Sequence, residues 1–410
     1  MVRRLILLLL LLTGAGAALA THAGSGVAQV CVPGSPLPGC PPPPPPPPPL
    51  PPGGGVPGAP PPPPEPAACA PIRKSGQGSF VGMVSEDVFA GGPNYRSCTL
   101  NTQLAGGVSI IRQTFDWAAI ERSRGSYDFS GYDSYVAALA EHRMRVLPVL
   151  FNPPGFRSSR PHKHARKGTY PPKRFKDMGG FGAALVRRYG PRGSFWVSRP
   201  DLPKMAIRSW QIWNEPHLKA YWPTGPSPRK YTRLLKAAAK GIKRADRHAE
   251  IVSASLSQST LSRYSVTSFV SGMYRAGARK AFDTLALNPY GKSPSGALRL
   301  VRSIRRLMNK RHDRGARIWV TEFGWATGGK SKKFRVSTKR QARWVPSLLG
   351  KLHRARRGLR LRGAIYYNWR DAKPYAPRYQ DFFGLHTGLL KTDGSPKPAF
   401  RSFSKAARRF

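Results

Sequence analysis

Past residue 69 the chain alternates between short apolar runs and longer amphipathic stretches. Eight runs recur: Phe80–Val84, Val108–Thr114, Val146–Phe151, Ile207–Trp213, Ile251–Leu256, Thr284–Asn288, Ile318–Glu322 and Ala364–Trp369. Each has the length and near-continuous hydrophobicity of a strand buried on both faces. Between them Tyr132–Arg143, Tyr231–His248, Ala297–His312 and Gln341–His353 read as helices. Strands alternating with helices predict a parallel sheet, and eight such units fit a (β/α)8 barrel over residues 69–410. An open doubly wound sheet usually carries a glycine-rich phosphate turn after its first strand. Val81-Gly82-Met83-Val84 followed by Ser85-Glu86-Asp87 is not one.

The N-terminal segment follows other rules. Met1-Val2-Arg3-Arg4 is a basic start, Leu5 to Leu12 is unbrokenly apolar, and Ala18-Leu19-Ala20 ends a run of small residues. This is the pattern of a cleaved secretory signal peptide over 1–20. The apolar run is short for an uncleaved anchor, so no transmembrane segment is expected after cleavage, and the chain is expected to be secreted or held at the cell surface. Residues 21–68 form a linker. Pro41 to Pro49 and Pro60 to Pro64 are stretches of proline that favour an extended, solvated spacer. Export permits disulfides. Cys31 and Cys40, and Cys69 and Cys98, are placed for two local pairs, but spacing does not fix the connectivity. No His stands at ligand spacing from them, so no metal site is expected.

Composition narrows the picture. The 410 residues include 68 Lys+Arg against 19 Asp+Glu, a formal net charge of +49, with 40% hydrophobic residues and 43 Pro. The single long apolar run excludes a polytopic membrane protein, and four Cys exclude a disulfide scaffold. Acids are scarce enough for each Glu to be weighed: Glu65, Glu86, Glu121, Glu141, Glu215, Glu250 and Glu322. Glu65 falls in the linker; Glu121, Glu141 and Glu250 fall in helices or connections; Glu86 lies just past the first strand. Glu215 and Glu322 close the fourth and seventh strands, where a barrel places its chemistry. Both sit in aromatic company, Trp210-Gln211-Ile212-Trp213-Asn214-Glu215-Pro216 and Ile318-Trp319-Val320-Thr321-Glu322-Phe323-Gly324-Trp325. Two carboxyls across a barrel mouth suit glycoside hydrolysis, one protonated to release the leaving oxygen and one ionised to attack the anomeric carbon. The plainer alternative is that each Glu pairs with one of the many cations.

Trp213-Asn214-Glu215-Pro216 resembles the strand-four acid/base motif of glycoside hydrolase clan A, the retaining (β/α)8 glycosidases. Thr321-Glu322-Phe323-Gly324-Trp325 resembles their strand-seven nucleophile motif. The stretch from Asn214 through His217, Leu218, Tyr221 and Trp222 to Tyr231 is most similar to family 39 and family 5-like bacterial proteins. The resemblance implies Glu215 as general acid then base, and Glu322 as nucleophile. It implies Asn214 on the sugar 2-hydroxyl, Arg112 supporting Glu322, Tyr290 donating to Glu322, and Trp369 as a stacking floor for the sugar. It implies no metal and no organic cofactor. Where clan members often carry His two residues before the strand-six Tyr, this chain has Asn288-Pro289-Tyr290. Asn288 is expected to hydrogen-bond sugar but cannot titrate. The residues Asp381-Phe382-Phe383-Gly384-Leu385 and Lys397-Pro398-Ala399 resemble the segments that close these barrels.

The charge has two readings. Cations crowd three loops on the expected active face: Arg157, Arg160, Lys163, Arg166, Lys167, Lys173, Arg174 and Lys176; Lys330, Lys332, Lys333 and Arg335; Arg370, Lys373 and Arg378. An acidic polysaccharide substrate would be steered to such a rim. The outward helices are equally basic, so the excess is also a whole-surface property with adhesion to an anionic cell envelope as its consequence. Charge alone gives nucleic acid only non-specific affinity, and no recognised nucleic-acid module is present, so no specific nucleic-acid partner is expected. The expectation is a glycosidase acting on an oligo- or polysaccharide. The rival class is a non-catalytic carbohydrate- or envelope-binding protein on the same fold, and transglycosylation would use the same residues with a sugar as acceptor.

Overall fold

The computed structural model describes residues 80–163, 169–259, 261–373 and 381–410. The expected signal peptide and linker, together with Cys31, Cys40, Cys69, Arg166, Lys167, Tyr375 and Arg378, lie outside the described residues. Cys98 is disulfide-bonded.

All eight apolar runs become strands of one closed barrel. In chain order they are β1 (Val81–Val84), β2 (Ile110–Asp116), β3 (Arg145–Phe151), β4 (Ser209–Ile212), β5 (Glu250–Val252), β6 (Thr284–Leu287), β7 (Arg317–Phe323) and β8 (Leu361–Tyr366). Every neighbouring pair is parallel, and β1 closes the ring by pairing with both β2 and β8. Eight main helices follow the strands in turn: α1 (Pro93–Ala105), α2 (Ser130–Glu141), α3 (Phe175–Tyr189), α4 (Pro228–Ala245), α5 (Val266–Arg275), α6 (Pro294–Lys310), α7 (Thr338–Leu359) and α8 (Pro398–Ala407).

The helices form where the sequence gives them a start and one apolar face. Ser227, Ser265, Ser293 and Ser337 cap α4 to α7, each hydroxyl accepting a backbone N–H three residues on, a contact worth about 1 kcal/mol per helix. Pro228 and Pro294 follow two of these caps at the first helical position, where the missing N–H costs nothing. On α4, Tyr231, Leu234, Leu235, Ala238 and Ile242 are buried, while Arg229, Arg233, Lys236, Lys240 and Arg244 are exposed. The lysines and arginines therefore occupy the face the core does not need.

Two apolar layers result. Val84, Ile110, Leu147, Val252, Ala286, Trp319 and Ile365 fill the barrel interior, with Tyr367 packed against them. A larger cluster lies between sheet and helices. Glu250 opens β5 at the end of the barrel opposite the mouth, bonded to Ser209 (2.6 Å) and Thr284 (2.5 Å). It is therefore a strand residue rather than part of a connection, and it stands far from the C-terminal ends of the strands.

Candidate active site

Polar side chains converge at the C-terminal ends of the strands, and Arg112 of β2 organises them. Its Nε donates to Gln211 Oε1 at 2.8 Å and its Nη1 to Glu322 Oε1 at 2.7 Å. Its Nη2 donates to Asn214 Oδ1 at 3.0 Å and Ser255 Oγ at 3.2 Å. One planar guanidinium thus ties together residues of β2, β4 and β7 and the segment after β5, which a lysine could not do. Gln211 Nε2 also reaches Ser255 Oγ at 2.7 Å. Ser255 Oγ lies 2.9 Å from Thr321 Oγ1.

The local backbone is shaped to present the two acids. Trp213 and Glu215 both have positive φ, 75° and 42°, a region that costs an L-residue roughly 1–3 kcal/mol. Buried packing holds them there. Trp213 is edge-on to Phe151 at 4.7 Å and to Trp222 at 5.5 Å, and its Nε1 donates to Tyr221 O at 2.9 Å. On β7 the register changes within the motif, Val320 facing Ala364 but Phe323 facing Tyr366. Three steps of β7 therefore span two of β8. This bulge lets consecutive residues, Thr321 and Glu322, both reach the polar mouth, where a regular strand would send them to opposite faces.

The two carboxyls have different surroundings. Glu322 accepts from Arg112 and, at Oε2, from the Tyr290 hydroxyl at 2.9 Å. Burial pushes its pKa up, Arg112 pulls it down, the Glu215 charge raises it, and the Tyr290 bond lowers it; the net direction is upward. Burial likewise pushes Glu215 up, against hydrogen bonds from Ser257 and Asn288 and the more distant cations Arg112 and Lys333. Among the described residues no cation is bonded to Glu215. Two buried carboxyls that act on each other resist joint ionisation, and Glu322, bonded to Arg112 and Tyr290, is the one better held as the anion. Burial and the Glu322 charge hold the Tyr290 phenol far above its usual range, so it remains a donor.

Arg112, Asn214, Glu215, Asn288, Tyr290 and Glu322 are thus brought together; Trp369 is not. It lies three residues beyond β8, buried, its ring edge-on to Phe400 of α8 at 5.7 Å, in the helix-facing core. Tyr367 is instead an aromatic at the mouth, where it borders the interior layer and acts electrostatically on Tyr290. Asn288 is fully buried; its amide donates to Glu215 Oε1 at 3.2 Å and its oxygen accepts from Thr321 Oγ1 at 2.9 Å. Its visible task is to orient Glu215 rather than to face a sugar. Trp222 and Trp325 are buried as well, so neither lines the mouth.

The sequence reading passed over several participants. Ser255 lies in the fifth run and Ser257 just past its end; the chain there leaves the ladder after Val252 and continues through the bridges Asn214–Ser255 and Ser257–Asn288. Their alternation with Ser253 was the available signal. His217 is fully buried, its Nε2–H donating to Ser257 O at 2.8 Å; burial lowers its pKa to about 4, so it is neutral at pH 7. Glu86 begins the short helix Glu86–Ala90 directly above β1 and is exposed. Of the rim cations, Arg157 is spent on Glu121 and Asp177, and Arg174 on Asp177. Among the described residues no cluster of three or more His, Cys, Asp and Glu is placed to hold a metal ion.

No known family profile matches the chain, and no curated protein does. Solved structures do. A family 39 glycoside hydrolase from Bacteroides cellulosilyticus WH2 is 18% identical with a TM-score of 0.59, covering 83% of this chain and 65% of that one. A monomeric β-xylosidase from Caulobacter crescentus CB15 is 19% identical, TM-score 0.58, covering 82% and 69%. A GH5_18 protein from Streptomyces cattleya is 15% identical, TM-score 0.57, covering 81% of each. At these identities the likeness is one of fold, and the fold shared is the closed parallel (β/α)8 barrel. The chain spans slightly less than two thirds of the first of these structures.

Proposed function

We propose that the protein is a secreted retaining glycosidase that cleaves O-glycosidic bonds of an oligo- or polysaccharide. The observation that carries the reading is the asymmetry of the two acids: Glu322 held by Arg112 and Tyr290, Glu215 in the same mouth held by neutral partners alone. That is the division of labour double displacement requires. The Glu322 carboxylate attacks the anomeric carbon while Glu215 gives its proton to the leaving oxygen; the C–O bond breaks and a glycosyl ester forms. Glu215, now ionised, takes a proton from water, whose oxygen displaces Glu322 and releases the sugar. Asn214, fixed by Arg112, is placed to bond the 2-hydroxyl, and Tyr290 steadies the nucleophile. No step calls for a metal or cofactor. If sugar replaces water as acceptor, the same groups perform transglycosylation.

The β-xylosidase and family 39 neighbours support saccharide as the substrate class. The motif at 1–20 supports export, and the net charge of +49 supports adhesion to an anionic envelope. The test is sugar release from neutral and acidic polysaccharides by the whole chain and by Glu322→Gln, with the anomeric form of the first product followed by NMR. Release that Glu322→Gln abolishes, with retained configuration, is expected. Undiminished carbohydrate binding with no release from any polymer would instead favour the non-catalytic binding protein.

A further inference from the structure

Where α3 and α4 cross, a cavity of about 700 Å3 opens on the helix layer. Small residues give it depth. A Cβ on Gly179 would stand 2.5 Å from Ala237 O, and one on Gly241 would fall on the Gly179 backbone, so the helices meet with no side chain between them. Gly180 and Ala183 extend the floor along α3. Four cations stand along the two banks: Lys176 and Arg187 from α3, Lys240 and Arg244 from α4. All four are exposed, and among the described residues none makes an ion pair or a side-chain hydrogen bond. The one carboxylate in the lining, Asp177, is already shared by Arg157 (3.4 Å) and Arg174 (3.3 Å). At the margin stands the half-buried Tyr127. Its ring stacks on Phe129 at 5.8 Å and Phe181 at 6.4 Å, and its hydroxyl has no hydrogen-bond partner among the described residues.

The whole surface is basic, but a groove acts on charge differently from a convex helix face. Walls of low dielectric focus a field of one sign into it. The cations are also spread along the groove rather than gathered at a point. Lys240 and Arg244, four residues apart, are neighbours on one face of α4, while Lys176 and Arg187 lie about 16 Å apart along α3. Such spacing suits a chain that carries a charge on successive units more than one small anion. We propose that the groove between α3 and α4 is a second, non-catalytic binding site for a linear polyuronate, whose carboxylates meet the four cations while a sugar hydroxyl meets Tyr127. Arginine forks match carboxylates in pairs, and a floor of glycine and alanine lets a sugar ring lie close to the helix backbones. A membrane surface is too flat to enter the cavity. A nucleic-acid single strand would need aromatic faces for its bases, and the one aromatic here has its ring packed against two others. The site is separate from the two acids, so it stands or falls independently of the glycosidase reading.

The experiment measures binding by calorimetry at one fixed ionic strength, on the whole chain carrying Glu322→Gln so that no probe is consumed. The probes are hexagalacturonate, its fully methyl-esterified counterpart and a polyphosphate of matched charge. Two kinds of variant separate the groove from the general charge. Arg187→Gln with Arg244→Gln removes two groove cations, and Arg302→Gln with Arg306→Gln removes two exposed cations of α6, which do not line the cavity. Gly180→Trp fills the groove at unchanged net charge, since a Cβ there meets nothing within 4 Å, and Gly180→Ala is its control. Urea midpoints verify that each variant is folded. Hexagalacturonate is expected to bind, the ester at least tenfold more weakly. The groove pair and Gly180→Trp should each lose at least tenfold in affinity, while the α6 pair and Gly180→Ala stay within twofold of the parent. An equal loss in the α6 pair, or full binding in Gly180→Trp, would assign the affinity to the surface as a whole and overturn the site. Equal binding of the ester, or no binding of hexagalacturonate, would overturn it too. Polyphosphate bound as tightly, with the same response to the variants, would overturn the choice of a polyuronate and make a phosphate polymer the occupant.

Discussion

Arg112 Nη1 stands 2.7 Å from Glu322 Oε1, and both side chains are largely withdrawn from solvent, 7% and 12% exposed. Truncating one member of such a pair strands the other charge. Arg112→Gln therefore raises the Glu322 pKa, because a cation that favoured the anion is gone. The acidic limb of kcat/KM should move to higher pH, and activity at neutral pH should fall by about a hundredfold, roughly 2.7 kcal/mol. Arg112→Lys should recover only part of the loss, since an ammonium cannot span Gln211, Asn214, Ser255 and Glu322 together. A pH–rate profile whose acidic limb stays in place would show that Arg112 does not hold Glu322 ionised.

Asn288 provides the matching test on the acid. Its amide donates to Glu215 and its oxygen accepts from Thr321. Asn288→Asp keeps the shape and the Thr321 contact but sets an anion beside Glu215. A like charge disfavours ionisation, so Glu215 keeps its proton to higher pH. The basic limb of kcat/KM should shift upward, with the acidic limb moving less. Asn288→Ala, which removes the donor without adding charge, should lower kcat with a smaller displacement of that limb. Identical profiles for the two variants would place Asn288 outside the control of Glu215.

The barrel was legible because strands buried on both faces are written as continuous apolar runs, and all eight of those runs lie in its wall. The acids were legible because carboxylates are rare in this chain, so two at strand ends stood out. What remained hidden follows from broken periodicity. The fifth run reads as one strand to Leu256, yet hydrogen bonding to β6 ends near Val252 and the later serines turn into the mouth. Thr321 and Glu322 share the polar mouth only because of a bulge, which no alternation rule anticipates. Past Tyr366 the chain has left the strand, so parity cannot show whether Tyr367 or Trp369 faces the mouth; the larger ring was the natural choice and lies in the outer core.

His217 links the site to stability. It is fully buried and its pKa lies at about 4 against 6.5 for an exposed imidazole, because burial disfavours the cation. Below about pH 6.5 the unfolded chain gains a proton that the folded chain refuses until about pH 4. Stability is therefore complete above pH 6.5 and is lost as pH falls through that window, by roughly 3 kcal/mol. His217→Gln should be less stable at pH 7.5, yet should lose less on acidification, as read from urea midpoints across pH 7.5 to 4. Parallel pH dependence in the two proteins would mean that other groups govern the acid response.

The crossing of α3 and α4 sets two opposing effects against each other. Gly241 sits inside α4, where Ala would ordinarily gain about 1 kcal/mol of helix propensity. A Cβ at Gly241, however, would fall on the backbone of Gly179 in α3, and one at Gly179 would stand 2.5 Å from Ala237 O. Backbone on both sides leaves no flexible side chain to yield, so the helices must separate, and overpacking of this kind costs about 1–3 kcal/mol or more. The steric effect is the larger, and Gly241→Ala should be destabilising, lowering the urea midpoint despite the better helix former. Because α4 follows the segment after β4 that carries Glu215, the same variant should lose kcat/KM at temperatures where it remains folded. A rise in the midpoint would show that the two helices can part without cost, and that the glycines are not what fixes their approach.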